Sequence, residues 1–147
     1  MKPILLALDF SEYTPQLLQH AIDFCQLMAP HQPHLYLLHV MSNGIGMVIG
    51  DATMQFVPEI EENERIEAGQ ALKHWQRKIP VEISSEIILK QGDVEDLILE
   101  LSESLNAEFI IMGTHGSGLL HDLFLGNVSK DIIKKSKVPV LVVPCHE

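Results

Sequence analysis

The strongest constraint on the fold is the alternation of short apolar runs with segments of helical periodicity along the whole chain. This alternation is typical of βαβ units, in which helices cover both faces of a parallel sheet. The runs that predict strands are Ile4 to Leu8, Leu35 to Met41, Val81 to Leu89, Phe109 to Met112 and Val138 to Val143. The third run differs, because its apolar residues alternate with polar ones, which predicts a half-exposed strand at the edge of the sheet.

The segments between these runs predict helices. Thr14 is expected to cap the first helix, with Pro15 at the first helical position. A second helix is expected over about Pro58 to Arg77, with an acidic start that suits the helix dipole. The third is expected to follow the cap residue Asp93, and the fourth to begin near Asn127.

The length and the charge of the chain limit the classes of protein to which it can belong. Its 147 residues are expected to form one domain over residues 1–147. The formal net charge of −10 argues against nucleic acids and anionic membranes as partners, because both are bound through Lys and Arg. No window approaches the ~20 apolar residues of a membrane span, and the run before Asp9 is too short for the core of a signal peptide.

The two cysteines, Cys25 and Cys145, lie far apart in the sequence. Their spacing argues against a disulfide framework and against a zinc site built on thiolates. A reducing cytoplasm is therefore the expected location. Cys25 is expected to face a helical core, and Cys145 to be exposed.

One connection combines glycines with the start of a helix. Gly113 and Gly116 follow the fourth predicted strand, and Gly126 precedes the helix that opens with Val128 and Ser129. In an open α/β sheet, ligands bind beyond the carboxyl ends of the strands. Glycines let a phosphate approach the backbone, and the free N–H groups at the helix start, with the Ser129 hydroxyl, suit an anion. Glycines that only make turns are an alternative that the spacing leaves open.

The glycine pattern Gly113-x-x-Gly116-x9-Gly126, followed by a small polar residue, resembles that of the universal stress protein family. The early Asp9 and the closing segment 139–143 fit the same family, and the resemblance covers essentially the whole chain. The pattern is the version associated with members that bind ATP. The resemblance implies a Rossmann-like α/β fold: an open five-stranded parallel sheet of order 3-2-1-4-5, with helices on both faces. It also implies a homodimer that pairs through the last strand, residues 138–143.

By the same resemblance, the strand ends would hold ATP with Mg²⁺ or Mn²⁺, and ADP or AMP would be alternatives to ATP. Asp9 would bind the ribose hydroxyls, while Ala7, Leu8 and the backbone of Val40 would surround the adenine. The residues that would line the ribose and the α-phosphate are Met112, Gly113, His115 and Gly116. The residues that would hold the phosphate tail are Gly126, Asn127, Val128 and Ser129.

The charge near the phosphate positions departs from the family pattern. Residues 91–129 contain no Lys or Arg, and family members commonly carry a basic residue at the position of Ser117. A helix N-terminus supplies only about half a positive charge, so a triphosphate is expected to need a divalent cation, bound through its phosphates rather than by protein ligands. Asp9 has an alternative role as a capping carboxylate near Ser11 and Thr14.

Other chemistries lack their residue patterns. The histidines match no established metal-ligand spacing, and His39 is expected to be a satisfied core histidine. Neither a lysine-containing phosphate loop nor a serine in a G-x-S-x-G context is present. Three hypotheses remain: a dimeric ATP-binding stress-response module, a slow ATPase, and a nucleotide-free dimerising protein of the same fold. In the first, nucleotide occupancy would shift residues 42–57 and 114–126 and so change an interaction with a partner. For the second, no general base or transition-state arginine is evident.

Overall fold

In the computed structural model, which describes residues 1–42, 58–114 and 127–145, five strands form one parallel sheet. The strands are β1 (Lys2–Ala7), β2 (Pro33–Met41), β3 (Ser84–Gln91), β4 (Phe109–Gly113) and β5 (Val140–Val143). Their order is β3-β2-β1-β4-β5, so the predicted fold class is confirmed. The helices in these ranges are α1 (Thr14–Leu27), α2 (Pro58–Gln76), α3 (Val94–Ser104) and α4 (Asn127–Lys135), with a short 3₁₀ turn at Ala29–His31.

Successive residues of one strand pack into different cores, one on each face of the sheet. Ile4 of β1 lies in a core with Leu18 of α1. The next residue, Leu5, lies in a second core with Ile98 of α3 and Ile132 of α4. Because helices cover both faces, the strands contain apolar residues at consecutive positions.

The third strand lies at the edge of the sheet, as predicted, but its bounds differ from the prediction. It begins at Ser84 rather than at Val81, which is 93% exposed. The N–H of Ile83 donates to the carbonyl oxygen of Pro80 at 2.9 Å, so the chain is still in a turn at Val81. The alternation of apolar and polar residues therefore starts at Val81, before the first residue of the strand, Ser84.

The last strand is shorter than the predicted run from Val138. The Ser136 hydroxyl donates to the carbonyl oxygen of Val138 at 2.7 Å and accepts from its N–H at 3.0 Å. These two bonds hold Val138 in a turn, and pairing with β4 begins at Val140.

Of the predicted helix caps at Asp93 and Thr14, the first is confirmed and the second is wrong. Asp93 caps α3, because its Oδ1 accepts from the N–H of Asp96 at 2.9 Å. Thr14 is the first residue of α1 and not its cap, a position that Tyr13 occupies without a side-chain bond.

No helix within the described ranges combines the length and the apolar character that crossing a bilayer requires.

Candidate functional site

A cavity of about 730 Å³ opens at the carboxyl ends of β1, β2 and β4, where the sequence predicts a ligand site. The predicted residues that line it are Ala7, Leu8, Asp9, Val40, Met112, Gly113, Val128 and Ser129. Asn127 begins α4 and is exposed, and it does not contribute to the lining. His115, Gly116 and Gly126 lie outside the described residues. The fold thus brings residues from separate parts of the chain to one place.

One side of the cavity, the β1 wall, consists of Leu8, Asp9 and Phe10 after β1 and His39 near the end of β2. Asp9 Oδ1 accepts a hydrogen bond from the N–H of Ser11 at 3.0 Å. Asp9 therefore stabilises the turn that precedes α1, although it is not the cap residue of that helix, and it also lines the cavity. The two roles are compatible, because a carboxylate offers about four acceptor positions.

His39 joins β2 to this wall. Its Nδ1 lies 2.7 Å from the carbonyl oxygen of Leu8. A carbonyl oxygen only accepts, so Nδ1 carries the proton and the neutral ring leaves Nε2 as an acceptor. Burial lowers the pKa of His39, against the opposing effects of the Leu8 bond and the Asp9 carboxylate. The ring is therefore neutral at pH 7, and His39 is the satisfied histidine that the sequence predicts.

Phe10 adopts an unusual backbone conformation beside this histidine. Its φ of 57° lies in the left-handed region, which costs a residue other than glycine roughly 1–2 kcal/mol. Its ring stacks on that of His39, with the centroids 4.0 Å apart and the planes at 23°. The stacking contact holds Phe10 in this conformation and keeps the turn close to β2.

The opposite side, the α4 wall, consists of Gly113 at the end of β4 and Val128 and Ser129 in the first turn of α4. The N–H groups of a first helical turn have no acceptors within the helix, and the helix dipole makes this end positive. The buried Ser129 hydroxyl donates to the carbonyl oxygen of Gly113 at 3.0 Å. In this structure the hydroxyl proton is therefore directed at the end of β4. The backbone amides are the donors that this wall offers.

The segment after β5 contributes Cys145 to the cavity lining. Cys145 lines the cavity and is 7% exposed, so the prediction of an exposed Cys145 is wrong. Its N–H donates to Thr114 Oγ1 at 3.1 Å, and the N–H of Thr114 donates to the carbonyl oxygen of Val143 at 3.0 Å. These bonds hold Cys145 in its buried position. Cys25 is buried as predicted, and burial raises the pKa of its thiol to about 11.

The charged side chains that line the described part of the cavity are all acidic. Asp9, Glu64 and Glu67 line it, and its described lining contains no Lys or Arg. An anionic ligand must therefore be held by backbone dipoles or together with a cation. In the part of the chain that the structure describes, no group of three or more His, Cys, Asp or Glu side chains could hold a metal ion.

A family model described as the universal stress protein family matches residues 1–144. The chain belongs to this family. It is similar to the universal stress protein MJ0577 of Methanocaldococcus jannaschii, with 30% identity, and the match covers 97% of this chain and 94% of that protein. The solved structure of MJ0577 superposes on it with a TM-score of 0.83 over 99% of this chain and 97% of the other.

Two further solved structures of universal stress proteins have the same fold. The one from Archaeoglobus fulgidus, in complex with dAMP, is 22% identical with a TM-score of 0.67, and the match covers 97% of each chain. The other, in complex with cAMP, is 18% identical with a TM-score of 0.64, over 99% of this chain and 98% of that one. At these identities the likeness establishes the fold alone.

The cavity of this universal stress protein also has lining residues that the sequence patterns did not single out as a site. Those from α2 are Glu64, Glu67, Ala68, Ala71 and Trp75. Ala68, Ala71 and Trp75 recur at helical spacing on one face, and this spacing was an available signal. Phe10 and Cys145 offered no comparable signal, because the contacts that place them are to residues distant in the sequence.

Proposed function

We propose that this protein binds an adenine nucleotide, ATP with ADP and AMP as alternatives, at the carboxyl ends of β1, β2 and β4. The observation that carries the proposal is that the Asp9 carboxylate, the end of β2 and the first turn of α4 meet in one cavity. A carboxylate accepts hydrogen bonds from ribose hydroxyls, and a helix N-terminus suits phosphate. The relatives in complex with dAMP and cAMP support the choice of an adenine nucleotide.

Each wall takes one part of the nucleotide in this proposal. Asp9 accepts from the ribose hydroxyls, and Ala7, Leu8 and Val40 contact the adenine. Met112 and Gly113, with His115 and Gly116, lie along the ribose and the α-phosphate. Gly126, Asn127, Val128 and Ser129 hold the phosphate tail, chiefly through backbone N–H groups.

A divalent cation, Mg²⁺ or Mn²⁺, belongs to the proposal. A triphosphate brings several negative charges to a lining that already has Asp9, Glu64 and Glu67. Mg²⁺ is usually held by substrate phosphates with one or two protein carboxylates rather than by a protein cage. The described residues offer no such cage, so we expect the phosphates to supply most of the ion's ligands.

The test is to purify the protein natively, denature it and identify any nucleotide that is released. Stoichiometric adenine nucleotide from the native protein, and a smaller amount from Asp9→Asn, supports the proposal. Asp23→Asn is the matched control, because Asp23 is exposed on α1 and bonds Gln19. Phosphate that accumulates from added ATP and Mg²⁺ would indicate the slow ATPase. If no nucleotide is released and ATP does not bind, with or without Mg²⁺, the result would favour the hypothesis of a nucleotide-free dimerising protein.

The homodimer is a second part of the proposal, and the two sheet edges support it. The β5 edge, Val140–Val143, carries no charged side chain. The β3 edge carries the exposed Glu86 and Lys90, and charges on an edge strand oppose pairing with another chain. We therefore expect two copies to associate through β5.

Light scattering tests this part. Val142→Lys places a charge on the β5 edge and should convert a dimer into a monomer. Ser85→Lys, on the β3 edge, is the matched control and should leave the dimer intact. If the dimer persists in Val142→Lys but is lost in Ser85→Lys, the interface lies at the β3 edge instead.

The output of nucleotide binding is proposed to be a changed interaction with a protein partner in a stress response, in the cytoplasm. Residues 42–57 and 114–126, which were predicted to shift, lie outside the described residues apart from Ser42 and Thr114. Ser42 lines the cavity, which supports communication with the first segment. Limited proteolysis with and without ATP tests the idea, and identical cleavage patterns would count against it.

The free thiols of Cys25 and Cys145 are consistent with a reducing location such as the cytoplasm.

A further inference from the structure

We infer that His39 is a positioning residue of the nucleotide site, whose Nδ1–H bond to Leu8 fixes the turn that presents the Asp9 carboxylate. The inference rests on the proposed function and deepens it, because it concerns the shape of the same site. His39 acts through the neighbours of Asp9. It is therefore distinct from the residues proposed to contact the ligand.

After β1 the chain leaves the sheet beside β2. The backbone register between β1 and β2 ends at Ala7 and Leu38. One residue later, the N–H of Leu8 donates to the carbonyl oxygen of Leu38 at 2.8 Å, and the carbonyl oxygen of Leu8 accepts from His39 Nδ1 at 2.7 Å. Both backbone polar groups of Leu8 are thus tied to β2, the second of them by a side chain.

Phe10, the other neighbour of Asp9, also contacts His39. Phe10 is held at a φ of 57° while its ring stacks on the imidazole of His39. One side chain therefore secures the residue before Asp9 by a hydrogen bond and the residue after it by ring contact. With both neighbours secured, the direction of the Asp9 carboxylate depends on His39 as well as on the bond from Ser11.

The imidazole ring of His39 suits this position because it makes two kinds of contact. It provides a donor at a short reach from the backbone and a flat face for Phe10 at the same time. Asparagine can provide the donor without the face, and phenylalanine the face without the donor. Burial lowers the pKa of His39, so the ring stays uncharged at neutral pH and leaves the charge of Asp9 available to a ligand.

The experiment compares His39→Asn with His39→Phe in calorimetric titrations with ATP and Mg²⁺. Loss of the donor in His39→Phe should weaken ATP binding by about tenfold, while His39→Asn should stay within about threefold of the wild type. His39→Gln places its amide near the Nε2 position instead of Nδ1, so it should bind as weakly as His39→Phe. His34→Phe is the matched control, because His34 lies at the other end of β2 and bonds Ser84 there; it should leave ATP binding unchanged.

A double-mutant cycle separates positioning from general structure. In an Asp9→Ala background, His39→Phe should cause no further loss of ATP affinity, because the carboxylate that it positions is gone. A purely structural role would instead weaken binding equally in both backgrounds, and this result overturns the inference. Equal affinity of His39→Phe and the wild type, or equal losses in His39→Asn and His39→Gln, would also overturn it while the proposed function stands. Absence of ATP binding by the wild type would overturn both.

Discussion

At the β1 wall of the cavity, side chains carry the contacts, whereas at the α4 wall the backbone does. Phe10 and His39 shape the first wall through a ring stack and a hydrogen bond between distant parts of the chain. The second wall relies on the first-turn amides of α4, and its buried Ser129 hydroxyl is occupied by Gly113. The β1 wall is therefore expected to respond to changes of shape, and the α4 wall to changes of charge.

The largest expected effect follows from adding a charge to the α4 wall. Val128→Asp places a carboxylate beside the proposed phosphates, at a residue that is 37% exposed. Repulsion at the effective dielectric constant of a protein surface should cost about 2 kcal/mol, or roughly thirtyfold in ATP affinity. Calorimetry should show little change for adenosine, which lacks phosphate, and little for the neutral variant Val128→Asn. Equal losses for adenosine and ATP would mean that the wall does not face the phosphates.

The next effect concerns the carboxylate of the β1 wall. Asp9→Asn should weaken ATP binding by about tenfold, because a hydrogen bond to a charged acceptor contributes about 1.5–3 kcal/mol. An ATP analogue without the two ribose hydroxyls should bind the variant and the wild type alike. If the affinity for that analogue also falls tenfold, Asp9 acts through its hydrogen bond with Ser11 rather than through the ribose.

A smaller effect is expected for the hydroxyl of the α4 wall. Ser129→Ala should lower the free energy of unfolding by about 1–2 kcal/mol, because it leaves the Gly113 carbonyl oxygen without this partner. ATP affinity should change by less than about twofold. Urea denaturation and calorimetry check the two quantities, and a large loss of affinity with unchanged stability would restore the hydroxyl as a phosphate donor.

The smallest effect is a dependence of stability on pH at the β1 wall. Burial lowers the pKa of His39 in the folded protein, so the unfolded chain binds a proton there more readily. The contribution of His39 to stability is therefore complete above its ordinary pKa of about 6.5 and is lost as the pH falls through the lower folded value. His39→Asn should flatten the stability curve below about pH 6.5 relative to the wild type. Parallel curves for the two proteins would contradict this prediction.

Local features were predicted well because their causes are local. The Asp93 cap depends on a residue three positions away, and the helix start at Asn127 on its immediate neighbours. Two errors had different causes. Val81 continues an apolar alternation, but a local turn closed by the bond between Ile83 and Pro80 precedes the strand there. Cys145 is held in a buried position by its bond to Thr114, which follows another strand.

The sequence by itself determined a parallel sheet covered on both faces and the strand ends that meet at the cavity, because apolar periodicity and strand polarity are properties of short segments. Its likeness to a family supplied the strand order. Only the tertiary structure decided the donor of His39, the stack on Phe10 and the inward Ser129 hydroxyl. These features depend on distances between groups far apart in the chain, which are defined only when the strands lie side by side.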